Sequence, residues 1–218
     1  FVVFSFMFTQ MLHFQLVRGH TALEAAIRFL PLPLGLMPAA ANSDKFVAKF
    51  GSNNVVATGL TLITAGMLLF TTVEIDTDYV RIALTFFLLG LGMGLTMAPS
   101  TTLVMESIPE DKAGVGSATN DASREIGGAL GIAIGGSVLN EYYQRNLVVP
   151  EGLEAQSAVL TESFPAAIQI GLEMGNMELI ANARLAFMDG MVASAMVSAG
   201  IALMTAILVK LYMPGKTG

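Results

Sequence analysis

Long uncharged apolar runs alternate with short polar stretches along the whole chain. Residues 55–73, 82–105 and 190–209 contain no Asp, Glu, Lys or Arg. A helix needs about 20 mostly apolar residues to cross a hydrocarbon core of about 30 Å, so each run predicts a membrane span. Residues 1–17 carry one titratable side chain, His13, and read as the end of a further span. Residues 29–43 are uncharged but shorter, and hold Pro31, Pro33 and Pro38. A membrane helix tolerates such prolines because neighbouring helices and Ser/Thr side chains satisfy the freed carbonyls. The sixth run, from about 113 to 143, is small, apolar and glycine-rich, yet contains Asp121, Arg124 and Glu125. No long stretch keeps the period of two that a transmembrane barrel requires. The pattern predicts an all-α membrane protein. It is a six-transmembrane-helix bundle with approximate spans 1–17, 25–43, 54–73, 80–105, 111–143 and 185–212, the first helix truncated.

The connectors are short and polar, covering 15–24, 42–54, 74–79 and 106–112, with one long loop over 144–184. The long loop carries Glu151, Glu154, Glu162, Glu173 and Glu178, and its middle is expected to form a short amphipathic helix at the membrane surface. Ser107 and Glu110 have capping-box spacing around Pro109, which places the start of the charged helix there. Lys45, Lys49, Lys112, Lys210 and Lys216 fall on one side of the bundle. Arg18, Arg28, Arg81, Arg145 and Arg184 fall on the other, so the basic residues divide almost evenly. The acidic connectors 74–79 and 144–184 lie together and are taken as extracytoplasmic. That orientation puts the C-terminus in the cytoplasm and the protein in the cytoplasmic membrane.

Composition agrees with the pattern. The chain has 218 residues, 54% hydrophobic and 13% charged, with mean hydropathy +0.66. A soluble domain is about 45–50% apolar and about 25% charged. With no cysteine there is neither a disulfide framework nor a thiolate metal site. A net charge of −6 leaves no basic footprint for nucleic acid. The opening Phe-Val-Val-Phe, with no initiator Met and already inside an apolar run, reads as the interior of a longer chain.

Candidate chemistry concentrates on "GVGSATNDASREIGGALGIAIGG". At about 100° per residue, Glu125 lies about 40° and Arg124 about 300° from Asp121, so the three ionisable groups share one side of the helix. Gly127, Gly131 and Gly135 form two successive GxxxG steps on the adjoining face, where a neighbouring backbone can approach closely. If the span begins at Ala113, Glu125 lies about 18 Å in, at about 1.5 Å per residue. A charge at that depth costs at least about 2.5–3.5 kcal/mol and marks an ion or substrate path by default. Asp121 and Glu125 are therefore the candidate proton-handling pair, and Arg124 is their charge partner. The alternative is an ion pair between Arg124 and one of the acids that locks helix packing. One Arg still cannot compensate both acids.

Elsewhere the sequence offers no catalytic set. His13 and His20 lack the i,i+3 or i,i+4 spacing of a metal pair and are expected at the surface. "GLGMG" at 90–94 lies inside an apolar span, without the strand–turn–helix setting of a nucleotide loop. Met93, Met97 and Met105 suit either a pliable cavity wall or ordinary packing.

The run "GLGMGLTMAPSTTLVMESIPEDKAGVGSATNDASREIGGALGIAIGGSVL" resembles the late helices of the fourteen-helix drug:proton antiporters of the major facilitator superfamily. "FTQMLHFQLVRGHTALEAAIRFLPLPLGLMP" resembles the end of the ninth helix and the tenth. "ARLAFMDGMVASAMVSAG" resembles entry into the last. The resemblance implies that the chain is the C-terminal half of the transporter, helices nine to fourteen. It implies proton-coupled efflux of lipophilic or cationic compounds by alternating access, with protons as the coupling ion and no cofactor or metal. The partners it implies are the lipid bilayer, a small-molecule substrate and the missing N-terminal half. In quaternary-ammonium exporters of this branch two acids one turn apart on the thirteenth helix are implicated in proton coupling and cation recognition, and they fall on Asp121 and Glu125. Arg124 departs from the quaternary-ammonium exporters, and a fixed cation there disfavours dications. "NSDKFVAKFGSNN" resembles the cytoplasmic loop signature Gly-x-x-x-Asp-Arg-x-Gly-Arg-Arg, echoed by Lys49 and Gly51, with Ala48 in place of the Asp. "GGALGIAIGG" resembles the glycine-rich antiporter helix of the N-terminal half, as an internal repeat predicts. The competing reading is a non-transporting membrane scaffold or assembly subunit held by structural ion pairs.

Overall fold

The computed structural model describes residues 1–213, in which every regular element is helical. The ten α-helices are α1 (Val2–Leu12), α2 (Ala22–Arg28), α3 (Pro31–Ala41), α4 (Ser43–Phe50), α5 (Ser52–Phe70), α6 (Tyr79–Glu106), α7 (Ala113–Asn146), α8 (Ser157–Glu162), α9 (Phe164–Met174) and α10 (Met177–Tyr212). A π-helical turn, His13–Val17, continues α1. Four helices are long and apolar enough to cross a membrane: α5, α6, α10 and the segment Ala22–Ala41 taken across its break. Val2–Val17 is apolar but shorter. At 34 residues α7 is long enough, but its ionisable and small residues keep it out of that apolar group.

Local chemistry sets the boundaries. Thr21 and Glu24 form a full capping box at the start of α2. The expected helix at 25–43 is in two pieces, because Pro31 and Pro33 have no N–H to carry the ladder across the joint. Leu30 and Leu32 instead close tight turns onto Ile27 and Phe29. Ser107 is not the cap of α7. Its Oγ donates backward to the Val104 carbonyl at 2.7 Å and so finishes α6. A 3-10 turn, Glu110–Lys112, then leads into α7, whose first turn has no side-chain cap. The last helix starts at Met177, eight residues before the predicted 185, capped by Asn176. Lys216, assigned to the cytoplasmic tail by sequence, lies outside the described residues.

Helix α6 packs along α3 and α5, while α10 packs along α5 and α7, and α1 rests on α7. Close approach explains the glycines at the α3–α6 contact, where a Cβ on Gly35 or Gly90 would strike the facing backbone. Phe6, Phe14, Phe29, Phe70 and Phe86 form an aromatic core at one end of α1, with ring centroids 4.7 Å apart for Phe29–Phe86. The middle of the long connector does form helices, and they pack against the bundle. Phe164 stacks on Phe187 of α10 at 4.2 Å, and Tyr143 donates to the Leu160 carbonyl at 2.8 Å.

Candidate functional site

The N-terminal half of α7 carries the predicted constellation. Asp121, Arg124 and Glu125 are all exposed. They lie on the stretch of α7 that extends past Phe1, since Gly127 is the residue level with the Phe1 nitrogen. Arg124 turns toward α6, where its guanidinium donates to Thr101 Oγ1. It also lines a cavity of about 640 Å³ at the first turn of α1. The polar wall of that cavity includes Thr101, Asn120, Ser123, Arg124 and Thr205, and its apolar wall includes Phe1, Ile63, Met93 and Met97. Met93 and Met97 line this cavity, one of the two placements open to them, while Met105 is not among the lining residues.

The three ionisable side chains therefore part company. Arg124 faces the cavity together with Asn120, Ser123 and Gly127, an arc centred well to one side of Asp121. Neither Asp121 nor Glu125 belongs to the lining. Among the described residues, acids pair with bases only at Arg145–Glu141 and, 4.0 Å apart, at His20–Glu24. The ion pair that would lock Arg124 to a neighbouring acid is not formed. A guanidinium held by a hydroxyl keeps most of its five donors for other acceptors, and among the described residues that line the cavity Arg124 is the charged side chain.

The glycines of α7 meet α1. A Cβ on Gly131 would strike the Phe1 backbone, and one on Gly135 would strike the Ser5 side chain, so the two helices run side by side in the same direction. Gly128, not singled out by the GxxxG spacing, takes part too, with the Phe4 ring 3.2 Å from the position a Cβ would occupy. Gly127 has only the Phe1 nitrogen near it, at 3.8 Å, and borders the cavity. In the loop, Lys49 ends α4 with its ammonium 5.1 Å above the Phe50 ring, and Gly51 joins α4 to α5 at φ 85°, ψ 151°. That backbone region is essentially reserved for glycine.

His13 is not at the surface. It is fully buried, and its Nε2 accepts from Arg18 Nε at 3.2 Å. Arg18 in turn donates to the Thr77 carbonyl at 2.7 Å, tying the end of α1 to the 74–79 connector. Burial pulls the Arg18 guanidinium below its ordinary pKa, and Asp76 and Asp78 act in the opposite direction. Sequence reasoning missed this because a lone His in an apolar run has no local partner; the Arg five residues on was the available signal. Gln10, also fully buried, has no hydrogen-bond partner for its amide among the described residues. Asp189 of α10 was likewise passed over, and accepts from Asn146 Nδ2 at 2.9 Å. His20 is half-buried, close to Glu24 and Arg28. No group of three or more His, Asp or Glu suited to a metal ion occurs among the described residues.

An all-α bundle with membrane-length apolar helices, close glycine contacts and one charged helix beside a cavity defines a polytopic membrane protein. The family model for the Major Facilitator Superfamily matches residues 1–132, and the chain belongs to that superfamily. It is similar to the multidrug efflux pump LfrA of Mycolicibacterium smegmatis, 28% identical over 209 residues, which is 94% of this chain and 42% of LfrA. It is similar to the multidrug transporter protein MdtP of Bacillus subtilis, 30% identical over 56% of this chain and 23% of MdtP. The methyl viologen resistance protein SmvA of Salmonella typhimurium is 27% identical over 72% of this chain and 32% of SmvA. The chain spans less than half the length of these curated relatives.

Proposed function

We propose that this chain is the C-terminal six-helix half of a proton-coupled exporter of lipophilic or cationic compounds, working by alternating access in the cytoplasmic membrane with its C-terminus in the cytoplasm. The observation that carries the reading is the placement of charge on α7. Asp121 and Glu125 are one turn apart, exposed, and unpaired with any base among the described residues. They share one side of α7, apart from the arc that faces the cavity. Carboxylates in that position can bind a proton in one conformation and release it in the other. Arg124, held to Thr101 on the cavity wall, sets a positive charge beside the path and favours neutral or singly charged substrates over dications. Similarity to LfrA, a multidrug efflux pump, and to MdtP, a multidrug transporter, supports drug export as the class of activity.

The test is efflux by the complete transporter carrying Asp121→Asn or Glu125→Gln. Each is expected to lower pH-dependent efflux by an order of magnitude or more, about 1.4 kcal/mol per tenfold, with membrane insertion unchanged. Unaltered pH-dependent efflux in both variants sinks the assignment.

A further inference from the structure

Two exposed grooves meet where α4, the start of α5 and the tail of α10 converge. One, of about 470 Å³, runs between α5 and α10 and is walled by Ala57, Thr61, Leu62, Leu203 and Ile207. The other, of about 350 Å³, lies against α4 and α6 and is walled by Phe46, Phe50, Val55 and Leu95. Asn54 and Thr58 belong to both, so the grooves diverge from a single polar point at the first turn of α5.

That point is cationic. Lys210 lines the first groove and donates to Asn54 Oδ1, while Asn54 Nδ2 donates to the Phe50 carbonyl at 2.7 Å. This clamp fixes the α10 ammonium beside the start of α5, with two of its three donors still available. Lys49 stands 5.1 Å over Phe50, a wall of the second groove, and Lys45 lies one turn earlier on α4. The carboxylate on α4 is Asp44, at the opposite end of that short helix. Helix α5 starts without a side-chain cap, so its first N–H groups add positive potential at the same place.

We propose that this corner binds an anionic diacyl glycerophospholipid, its phosphate between Lys49 and Lys210 and one acyl chain in each groove. Two apolar channels leaving one cationic point match two chains leaving one phosphodiester. The point lies at the end of membrane-length helices, at the level where lipid headgroups sit. The proposal needs only the membrane setting and is independent of what the transporter exports.

Native mass spectrometry of the full-length transporter, released from bilayers of equal phosphatidylglycerol and phosphatidylcholine with the same acyl chains, tests it. Phosphatidylglycerol is expected to be retained at least about threefold over phosphatidylcholine, the sign that attraction between Lys and anionic headgroups requires. Lys49→Gln with Lys210→Gln is expected to bring the ratio to about one, and Lys49→Arg with Lys210→Arg to restore it. Thr61→Trp keeps both lysines but fills one groove, and is expected to cut retention of the two-chain lipid while sparing its one-chain lyso form. That arm stands even if the double Gln variant fails to fold. Equal retention of the two lipids by the wild-type protein overturns the proposal, as does an unchanged preference in the Gln variant. Displacement by inorganic phosphate alone would show a simple anion site and overturn it too.

Discussion

At the scale of single residues, Arg124 is the side chain whose meaning changed most. Helical spacing groups it with Asp121 and Glu125, but a wheel cannot say which neighbour a side chain chooses. The structure gives it Thr101 of α6 as partner and the cavity as its surroundings. Arg124→Ala is expected to leave the fold intact and to admit dicationic substrates more readily, measured as a lower KM for a dication relative to a monocation in the complete transporter. An increase in KM for both alike would mean that Arg124 serves substrate binding without selecting charge. Gly131 makes the opposite kind of argument, because its role is to have no side chain. Gly131→Leu would force Phe1 off the α7 surface, and overpacking of this kind costs about 1–3 kcal/mol. The expected readout is a clear fall in the melting temperature of the detergent-solubilised protein.

At the scale of elements, joints carry most of the specificity. Gly51 turns α4 into α5 through a backbone conformation other residues avoid. Gly51→Ala is expected to cost about 1–3 kcal/mol, again read as melting temperature. It should also loosen Lys49 from its place over Phe50. The turn between α1 and α2 holds His20, whose pKa is lowered chiefly by burial and then by the Arg28 charge, with Glu24 acting in the opposite direction. The folded protein thus binds this proton less readily than the unfolded chain. Its contribution to stability is present above the unfolded value of about 6.5 and is lost as pH falls through that value toward the folded one. A histidine NMR titration is expected to show a midpoint below about 6.5 for His20; a midpoint above it would contradict the packing seen here. The capping box at Thr21 and Glu24 is the local reason this turn is well defined.

At the scale of the whole molecule, the chain is one bundle matched to less than half the length of its relatives. Under the proposed reading, the chain expressed alone is expected to insert in the membrane yet support no efflux from loaded vesicles, and a transporter that also carries an N-terminal half is expected to support it. Efflux by the 218 residues alone would contradict the division of labour between halves. The apolar periodicity, the proline and glycine positions and the scarcity of charge were enough to determine an all-α membrane protein, because hydrocarbon leaves a backbone few ways to satisfy its polar groups. They also determined which helix carries the charges, since ionisable residues stand out against an apolar run. The burial of His13, the choice of Thr101 by Arg124, the docking of Phe164 on Phe187 and the meeting of Lys210 with Asn54 were decided only by tertiary structure. Each joins residues distant in sequence or depends on which face of a helix meets which neighbour, and neither periodicity nor composition encodes that.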